Sequence, residues 1–120
     1  MSLVFLDTNI LIYRHDPTDL RKRERAKDWI AALALSRRGR LSWQVLTEYN
    51  AVATRKLAAH GYSSRNLRLD IRDYSAWLPL STDLLLFESA WTLSDRYSLS
   101  WWDALIVAAA LRQECTLLLS

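Results

Sequence analysis

Near the N-terminus lies the segment Leu3-Val4-Phe5-Leu6-Asp7-Thr8-Asn9, in which a short apolar run stops at an acidic residue. A brief, continuous apolar run predicts a buried strand, here over residues 2–6. Such strands are typical of parallel sheets that are covered on both faces. Binding sites in α/β sheets form outside the carboxyl ends of the strands. We therefore expect Asp7 to lie at the edge of the sheet where chemistry takes place.

Two further acidic residues occupy positions where a carboxylate is costly. Glu48 shares one face of a predicted helix with Val45 and Val52, and Asp103 stands in the first turn of the strongly apolar segment 101–110. A buried carboxylate that lacks a partner is strongly destabilising, so such groups are usually paired, protonated or bound to a metal. A single divalent cation would explain Asp7, Glu48 and Asp103 together.

Each carboxylate also has a simpler explanation when it is taken alone. Asp7 is a suitable cap for a short helical turn over residues 9–14. Glu48 is positioned to pair with a cation such as Arg55, and Asp103 has the spacing of a capping box with Ser100. These explanations would have to apply independently at three positions, whereas one metal site accounts for all three carboxylates together.

The chemistry of the ligands favours Mg²⁺ or Mn²⁺, because both ions prefer carboxylate oxygens. Zinc is less well supported, since His15 and His60 have no paired spacing and fall in predicted polar loops. Cys115 precedes an apolar strand and is expected in the core. With only two glycines, the chain has no glycine-rich phosphate loop.

Composition predicts one helix-rich globular domain. The chain has 120 residues, of which 51% are hydrophobic, and only two are Gly and two Pro. The formal charge of +3 is compatible with a nucleic-acid partner, and basic residues cluster at 21–27 and 37–40. Both clusters are either solvated surface or contacts to phosphate, and the sequence leaves these alternatives open.

Compartment and membrane association follow from cysteine content and apolar run length. One cysteine excludes an internal disulfide, which favours a reduced, cytoplasmic setting. No apolar run approaches the roughly 20 residues of a membrane span. An export signal is also not recognisable at the N-terminus, so we expect no membrane association.

Helical periodicity and capping residues predict the remaining elements. Helices are expected at 20–36, 43–60, from Ser63 or Ser64 to about 75, at 83–97 and from 101 onward. Gly39 is expected to stop the first, while Ser42, Thr82 and Ser100 are expected caps. Residues 41–42 are a short strand or connector, 77–80 an edge strand and 116–119 a final buried strand. This alternation predicts a parallel three-layer α/β architecture.

Three motifs resemble the signatures of PIN-domain nucleases in their order and separation. They are Phe5-Leu6-Asp7-Thr8-Asn9-Ile10-Leu11, Val45-Leu46-Thr47-Glu48-Tyr49 and Leu99-Ser100-Trp101-Trp102-Asp103-Ala104-Leu105-Ile106-Val107-Ala108-Ala109-Ala110. The resemblance spans essentially the whole chain and implies one PIN-like domain over residues 1–120. The implied fold is a three-layer α/β/α arrangement with a short parallel central sheet. The size looks most like that of VapC-type toxins from toxin–antitoxin pairs.

This resemblance implies a Mg²⁺- or Mn²⁺-dependent endoribonuclease that is usually dimeric and is silenced by an antitoxin protein. Asp7, Glu48 and Asp103 are carried over as the catalytic, metal-binding residues. Asn9, Ser42 and Ser100 are candidates for orienting these carboxylates. The family often has a fourth acidic residue just after the last strand, where this sequence stops at Ser120. Either the natural product is longer than this chain, or the protein lacks the fourth carboxylate.

Two other functions compete with the nuclease as explanations of the sequence. The alternative is a catalytically weak RNA- or protein-binding PIN-like module that uses the basic clusters and aromatic residues such as Trp43. A haloacid-dehalogenase-type phosphatase is disfavoured, because position 9 is Asn where those enzymes have a second Asp. Among the six tryptophans, Trp29, Trp43 and Trp77 are either core residues or candidates for a dimer or antitoxin interface.

Overall fold

The computed structural model describes residues 2–120, which form a short parallel sheet surrounded by helices. The three strands are β1 (Leu3–Leu6), β2 (Gly39–Arg40) and β3 (Cys115–Leu119), in the spatial order β2-β1-β3. Within this sheet, Phe5 of β1 pairs with Arg40 on one side and with Leu118 on the other. Because the strands that follow β1 lie on opposite sides of it, its carboxyl end is the switch point at which α/β sheets bind ligands.

Six helices complete the domain: α1 (Thr8–Tyr13), α2 (Leu20–Ser36), α3 (Trp43–Lys56), α4 (Ser64–Tyr74), α5 (Leu84–Tyr97) and α6 (Trp101–Arg112). Short 3-10 helices span Ala58–His60 and Ser75–Trp77. The last two α-helices pack on each other and α6 also contacts β3, while α1 contacts both α2 and α3. The predicted three-layer α/β/α fold with a short parallel central sheet is confirmed.

Three serines that the sequence predicted at helix starts are N-terminal caps in the structure. The side chains of Ser42, Ser63 and Ser100 each accept a hydrogen bond from the backbone N–H three residues later. The predicted cap at Thr82 is wrong, because Asp83 caps α5. Its Oδ1 accepts from the Leu86 N–H at 2.8 Å and also from Arg112 Nη1 at 2.9 Å. The contact from α6 favours the aspartate, and the sequence of α5 alone does not reveal it.

Gly39 does not end α2, contrary to the sequence prediction. The helix ends at Ser36 and is capped by Arg37, whose φ of 59° places a non-glycine residue in the left-handed region. Gly39 instead lies in β2 beneath the indole of Trp77. A Cβ atom at Gly39 would approach a ring carbon of Trp77 to 2.2 Å. Glycine is thus required here because another segment packs directly on the strand.

Three features differ from the sequence prediction: one helix boundary, one strand that does not form and the burial of the last strand. Helix α3 ends at Lys56, and Gly61, at φ 85°, turns the chain after the following 3-10 helix. Residues 77–80 form no strand, and Leu80 makes one isolated parallel bridge to Ser42. The last strand is only partly buried, with Leu117 exposed, because β3 lies at the edge of the sheet. Among the described residues 2–120, no helix has the length and apolar character needed to cross a membrane.

Candidate active site

Asp7 lies at the carboxyl end of β1 and is also the N-cap of α1. Its backbone N–H donates to the carbonyl of Leu119 at 2.9 Å, which fixes it against β3. Its Oδ1 accepts the Thr8 N–H at 2.6 Å, and its Oδ2 accepts the Ser120 hydroxyl at 3.4 Å. The capping role considered from the sequence is therefore real, and it holds the carboxylate at the sheet edge.

Glu48 is joined to this edge through a buried threonine. The Thr8 hydroxyl donates to Glu48 Oε2 at 2.9 Å, although Thr8 is only 7% exposed. On the same helix, Gln44 Nε2 donates to Glu48 Oε1 at 3.2 Å. Both oxygens of Glu48 are thus oriented by neutral donors, and the proposed pairing with Arg55 does not occur among the described residues.

Asp103 occupies the first turn of α6, where the helix dipole favours a negative charge. Its backbone N–H donates to the Ser100 Oγ at 3.2 Å. The side chain is exposed, so the position is less costly than the apolar sequence around it indicates. Its charge nevertheless reaches the first carboxylate, because Asp103 contributes to raising the pKa of Asp7.

The pKa of Asp7 is raised in the folded protein, and the other two carboxylates contribute to this shift. Burial raises this pKa most, and the negative charges of Glu48 and Asp103 raise it further. The hydrogen bonds from Thr8 and Ser120 lower it, but the net direction is upward. Such mutual repulsion is what a divalent cation would offset.

The donors near the end of β1 limit the kind of metal that could bind there. Within residues 2–120, no group of three or more Asp, Glu, His or Cys side chains is arranged to hold a metal ion. Mg²⁺ does not require such a group, because it usually binds one or two carboxylates directly and keeps several waters. Asp7 and Glu48, which Thr8 connects, fit an ion of this kind, and the charge of Asp103 acts on Asp7.

The three residues expected to orient the carboxylates take different positions. Ser42 is 1% exposed and its hydroxyl accepts from the Val45 N–H, so it orients the helix that carries Glu48. Ser100 acts likewise on the backbone of Asp103. Asn9 is exposed on α1, and its side chain makes no hydrogen bond to a carboxylate among the described residues. The sequence did not single out Thr8, which contacts Glu48 directly.

Two concave surfaces flank the carboxylates. On the Glu48 side, a groove of about 630 Å³ is lined by Trp43 of α3 and Trp102 of α6. On the Asp7 side, a cavity of about 260 Å³ is lined by Lys22 and Arg25 of α2 and reaches Ser120. Glu48 itself lines the groove, whereas the cavity meets the site through Ser120, whose hydroxyl donates to Asp7.

The two basic clusters differ in what their side chains do. In the second cluster, Arg38 donates to Ser36 Oγ and to the carbonyl of Ser2, and Arg40 donates to two backbone carbonyls. These residues stabilise the turn between α2 and β2. In the first cluster, Lys22 and Arg25 are exposed beside the Asp7 cavity.

A polar network centred on Asp70, which the sequence analysis did not identify, joins the helices that carry Thr8 and Glu48 to α4. Asp70 Oδ2 accepts hydrogen bonds from His15 Nε2 at 3.0 Å, from the Tyr49 hydroxyl at 2.8 Å and from the Tyr62 hydroxyl. Nearby, Arg14 Nη1 donates to the Tyr74 hydroxyl at 3.0 Å. The network connects the end of α1 with α3 and α4, and Tyr49 is the neighbour of Glu48.

The Asp70 network changes the acidity of its members. Burial alone would raise the pKa of Asp70, but the hydrogen bonds from His15, Tyr62 and Tyr49 outweigh burial and lower it. Burial and the Asp70 charge raise the pKa of Tyr49 and of Tyr62. A sequence signal existed, since Asp70 stands three residues after Leu67 and four before Tyr74, on the inward face of α4.

The comparison with protein families agrees with this fold. A parallel α/β sheet that carries an acidic side chain at the carboxyl end of its central strand has a polar group where α/β folds bind their ligands. The model of the PIN domain matches residues 4–120, so the chain belongs to the PIN domain family. PIN domains are usually nucleases and generally use divalent metal ions. None of the curated proteins compared with this chain matches it.

Proposed function

We propose that this PIN domain is a Mg²⁺- or Mn²⁺-dependent endoribonuclease and acts as a VapC-type toxin of a type II toxin–antitoxin pair. The observation that carries the enzymatic part is the hydrogen-bonded connection Asp7–Thr8–Glu48 at the carboxyl end of β1. Asp103 adds a third negative charge that acts on Asp7. An arrangement of neighbouring carboxylates with few cationic partners is suited to a divalent ion and a phosphodiester substrate.

Asp7 and Glu48 would hold the ion, and Asp103 is proposed as the third acidic residue of the site, whose charge acts on Asp7. The ion would activate water as a nucleophile and offset charge on the phosphate. As the water oxygen bonds to phosphorus and one ester P–O bond breaks, a carboxylate would take the proton of the water and the leaving oxygen would take a proton from solvent. The base would be Glu48, which Thr8 and Gln44 orient, or a fourth acidic residue of the family pattern. The raised pKa of Asp7 fits the role of a ligand whose charge needs a cation.

Phosphate groups of the RNA would be held on the basic side of the site. Lys22 and Arg25 are exposed, lie on α2 and line the cavity that reaches Ser120 beside Asp7. Lys22 also lies over the Tyr13 ring at 4.8 Å, which positions its ammonium group. Contacts of this type position a nucleic acid without reading its sequence.

The decisive experiment compares Asp7→Asn with the wild-type protein in an RNA cleavage assay with Mn²⁺. We expect Asp7→Asn to lose metal-dependent cleavage and to keep its circular-dichroism spectrum. Asp95→Asn is the matched control, because Asp95 is exposed on α5 and lies in neither concave surface. Cleavage by Asp7→Asn at the wild-type rate would exclude the assigned site.

Titration with Mn²⁺ separates this function from its alternative, a catalytically weak RNA- or protein-binding module. Binding followed by calorimetry should be detectable with wild-type protein and reduced in Asp7→Asn. If the wild-type protein binds no Mn²⁺ at millimolar concentrations, the non-enzymatic alternative is favoured.

The partners of the proposed toxin are a second copy of the chain and an antitoxin protein. Exposed leucines support such contacts, since Leu84 and Leu85 of α5 are 65% and 66% exposed and Leu111 of α6 is 59% exposed. Sedimentation of wild type and Leu85→Lys tests the dimer. Co-expression with the product of an adjacent small reading frame tests the antitoxin, which should abolish RNA cleavage.

A further inference from the structure

A carboxylate outside the candidate active site accepts three hydrogen bonds on a single oxygen. Asp70 Oδ2 accepts from His15 Nε2 at 3.0 Å, from the Tyr49 hydroxyl at 2.8 Å and from the Tyr62 hydroxyl. A carboxylate that leaves water is costly unless its hydrogen bonds are satisfied, so a network of this kind favours one arrangement of its members. The cleavage chemistry proposed above does not use Asp70, and the elements that its donors belong to indicate another role.

The first of these donors is attached to α1, the helix that begins at Thr8. This helix has only six residues, and helices this short depend on tertiary contacts to keep their position. At its start, the Thr8 hydroxyl donates to Glu48. Just beyond its end, the His15 N–H donates to the Ile12 carbonyl at 3.1 Å, so the imidazole that contacts Asp70 is attached to the last turn of the same helix. Helix α1 is therefore held at both ends.

The second donor belongs to α3, the helix that carries Glu48. Tyr49 is the next residue along the chain, is fully buried and reaches Asp70 through its hydroxyl. The helices α1 and α3 are thus connected twice, directly by the Thr8–Glu48 hydrogen bond and indirectly through the carboxylate of Asp70. One hydrogen bond alone would let the two helices pivot about it, whereas a second connection restricts their relative rotation. Asp70 therefore limits the positions that Thr8 can take relative to Glu48.

We propose that Asp70 is a positioning residue of the candidate active site: it holds α1 against α3 and thereby fixes the Thr8–Glu48 hydrogen bond. This inference rests on the proposed endoribonuclease function. In that function Glu48 acts on the metal ion or on water, and a displacement of about 1 Å in a catalytic site can cost about a hundredfold in rate. Asp70 itself would touch neither metal nor RNA and would act only through the placement of Glu48.

Two tyrosines distinguish this role from simple stabilisation of the fold. Tyr49→Phe and Tyr62→Phe each remove one hydroxyl that donates to the same oxygen of Asp70, and each keeps the aromatic ring. Tyr49 belongs to the helix of Glu48, whereas Tyr62 lies between the 3-10 helix Ala58–His60 and α4. Tyr62→Phe is therefore the matched control, because it leaves the connections from Asp70 to α1 and α3 in place.

The first measurement needs neither metal nor RNA, because Gln44 reports on the position of Glu48. Gln44 Nε2 donates to Glu48 Oε1 at 3.2 Å, so the side-chain amide resonances of Gln44 in heteronuclear NMR spectra depend on where that oxygen lies. The other glutamine of the chain, Gln113, donates through Nε2 to the carbonyl of Leu41 at 3.2 Å. Its amide is an internal reference in the same spectrum.

We expect Tyr49→Phe to shift the side-chain amide resonances of Gln44 and not those of Gln113. Tyr62→Phe should shift neither pair. Asp70→Ala should act as Tyr49→Phe does, and if it does not fold, the two phenylalanine variants carry the test because they conserve shape. Equal responses of Gln44 to both phenylalanine variants, or no response to either, would overturn the positioning role.

The second measurement is the rate of RNA cleavage with Mn²⁺. Tyr49→Phe should lower this rate by about tenfold, because Glu48 is displaced, while Tyr62→Phe should cleave at nearly the wild-type rate. In a Thr8→Val background, Tyr49→Phe should have little further effect, since the hydrogen bond that the network fixes is already absent. Independent losses from Thr8→Val and Tyr49→Phe would contradict the proposed coupling.

The two measurements also distinguish failure of this inference from failure of the proposed function. A Gln44 shift in Tyr49→Phe with an inactive wild-type protein would remove the nuclease and keep the placement of Glu48 by Asp70. Cleavage by the wild type that Tyr49→Phe does not reduce would keep the nuclease and overturn the role of Asp70, whether or not Gln44 shifts.

Discussion

Thr8 is the side chain on which the geometry of the acidic site most directly depends. Its hydroxyl is buried and donates to Glu48 Oε2, and its backbone N–H donates to Asp7 Oδ1. One residue therefore relates two carboxylates that are far apart in sequence. In the proposed enzyme, Thr8 is a positioning residue, because it acts through Glu48.

Replacing Thr8 by Val should lower the free energy of unfolding by about 1–2 kcal/mol, because a buried donor to a carboxylate is lost. RNA cleavage should fall further than this instability explains, and Thr8→Ser should restore it. Chemical denaturation and cleavage rates measure the two effects. Thr54→Val is the control, since Thr54 donates to a backbone carbonyl on the exposed side of α3. Equal losses in both variants would contradict the positioning role.

At Gly39, a single contact with Trp77 requires glycine. Gly39→Ala would place a methyl group against the Trp77 ring, and overpacking of this kind typically costs about 1–3 kcal/mol. We expect a lower unfolding midpoint in urea. In a Trp77→Leu background the same substitution should cost much less, because the ring that obstructs the methyl group is absent. Additive effects of the two changes would contradict this explanation.

At the scale of elements, Asp70 connects α4 to α1 and α3. Asp70→Ala would remove the acceptor of the hydroxyl groups of Tyr49, which is buried, and Tyr62, which is half-buried. The loss should cost about 2–4 kcal/mol. Thermal and urea denaturation measure the loss. Asp73→Ala, an exposed position on the same helix, should change stability little.

The same carboxylate predicts how stability depends on pH. Because the pKa of Asp70 is lowered in the folded protein, its contribution is fully present above the ordinary value of 3.8. That contribution is lost as the pH falls through the lowered folded-state pKa. Wild-type stability should therefore decline in acid more steeply than that of Asp70→Ala. Parallel acid profiles for the two proteins would show that Asp70 does not carry this effect.

Elements were predictable from sequence where their determinants are local. Ser42, Ser63 and Ser100 act on backbone groups three residues away, so their capping roles are visible in the sequence. The role of Gly39 was not predictable from local sequence, because Trp77, the residue that requires glycine at this position, lies on another segment. The Asp70 network was missed because its donors come from α1, α3 and the segment before α4, which only the tertiary fold brings together.

At the scale of the whole molecule, a metal that binds the folded state should stabilise it by mass action. An ion at a hundred times its dissociation constant would add about 2.7 kcal/mol to the free energy of unfolding. We expect Mn²⁺ to raise the melting temperature of wild type and EDTA to reverse the change. Asp7→Asn should lose most of this shift and Asp95→Asn should keep it. Equal shifts in both variants would place the ion elsewhere.

The candidate site itself was predictable only as a set of residues. The sequence identified Asp7, Glu48 and Asp103 from their unusual surroundings and from motif resemblance, and that assignment stays a prediction. Their relation through Thr8 depends on how α1 packs against α3, which no local pattern specifies. The exposure of Asp103 likewise depends on which side of α6 faces the sheet.

The central position of β1 has a consequence for protein synthesis. A ribosome makes β1 early, but the strand that completes its second edge, β3, emerges only after α6. Until then Asp7 lacks the backbone bond to Leu119 and the neighbouring charge of Asp103. A nascent chain therefore cannot assemble the three-carboxylate site while most of it is being translated. In the proposed endoribonuclease, this order of assembly would keep the growing polypeptide inactive beside the ribosome that makes it.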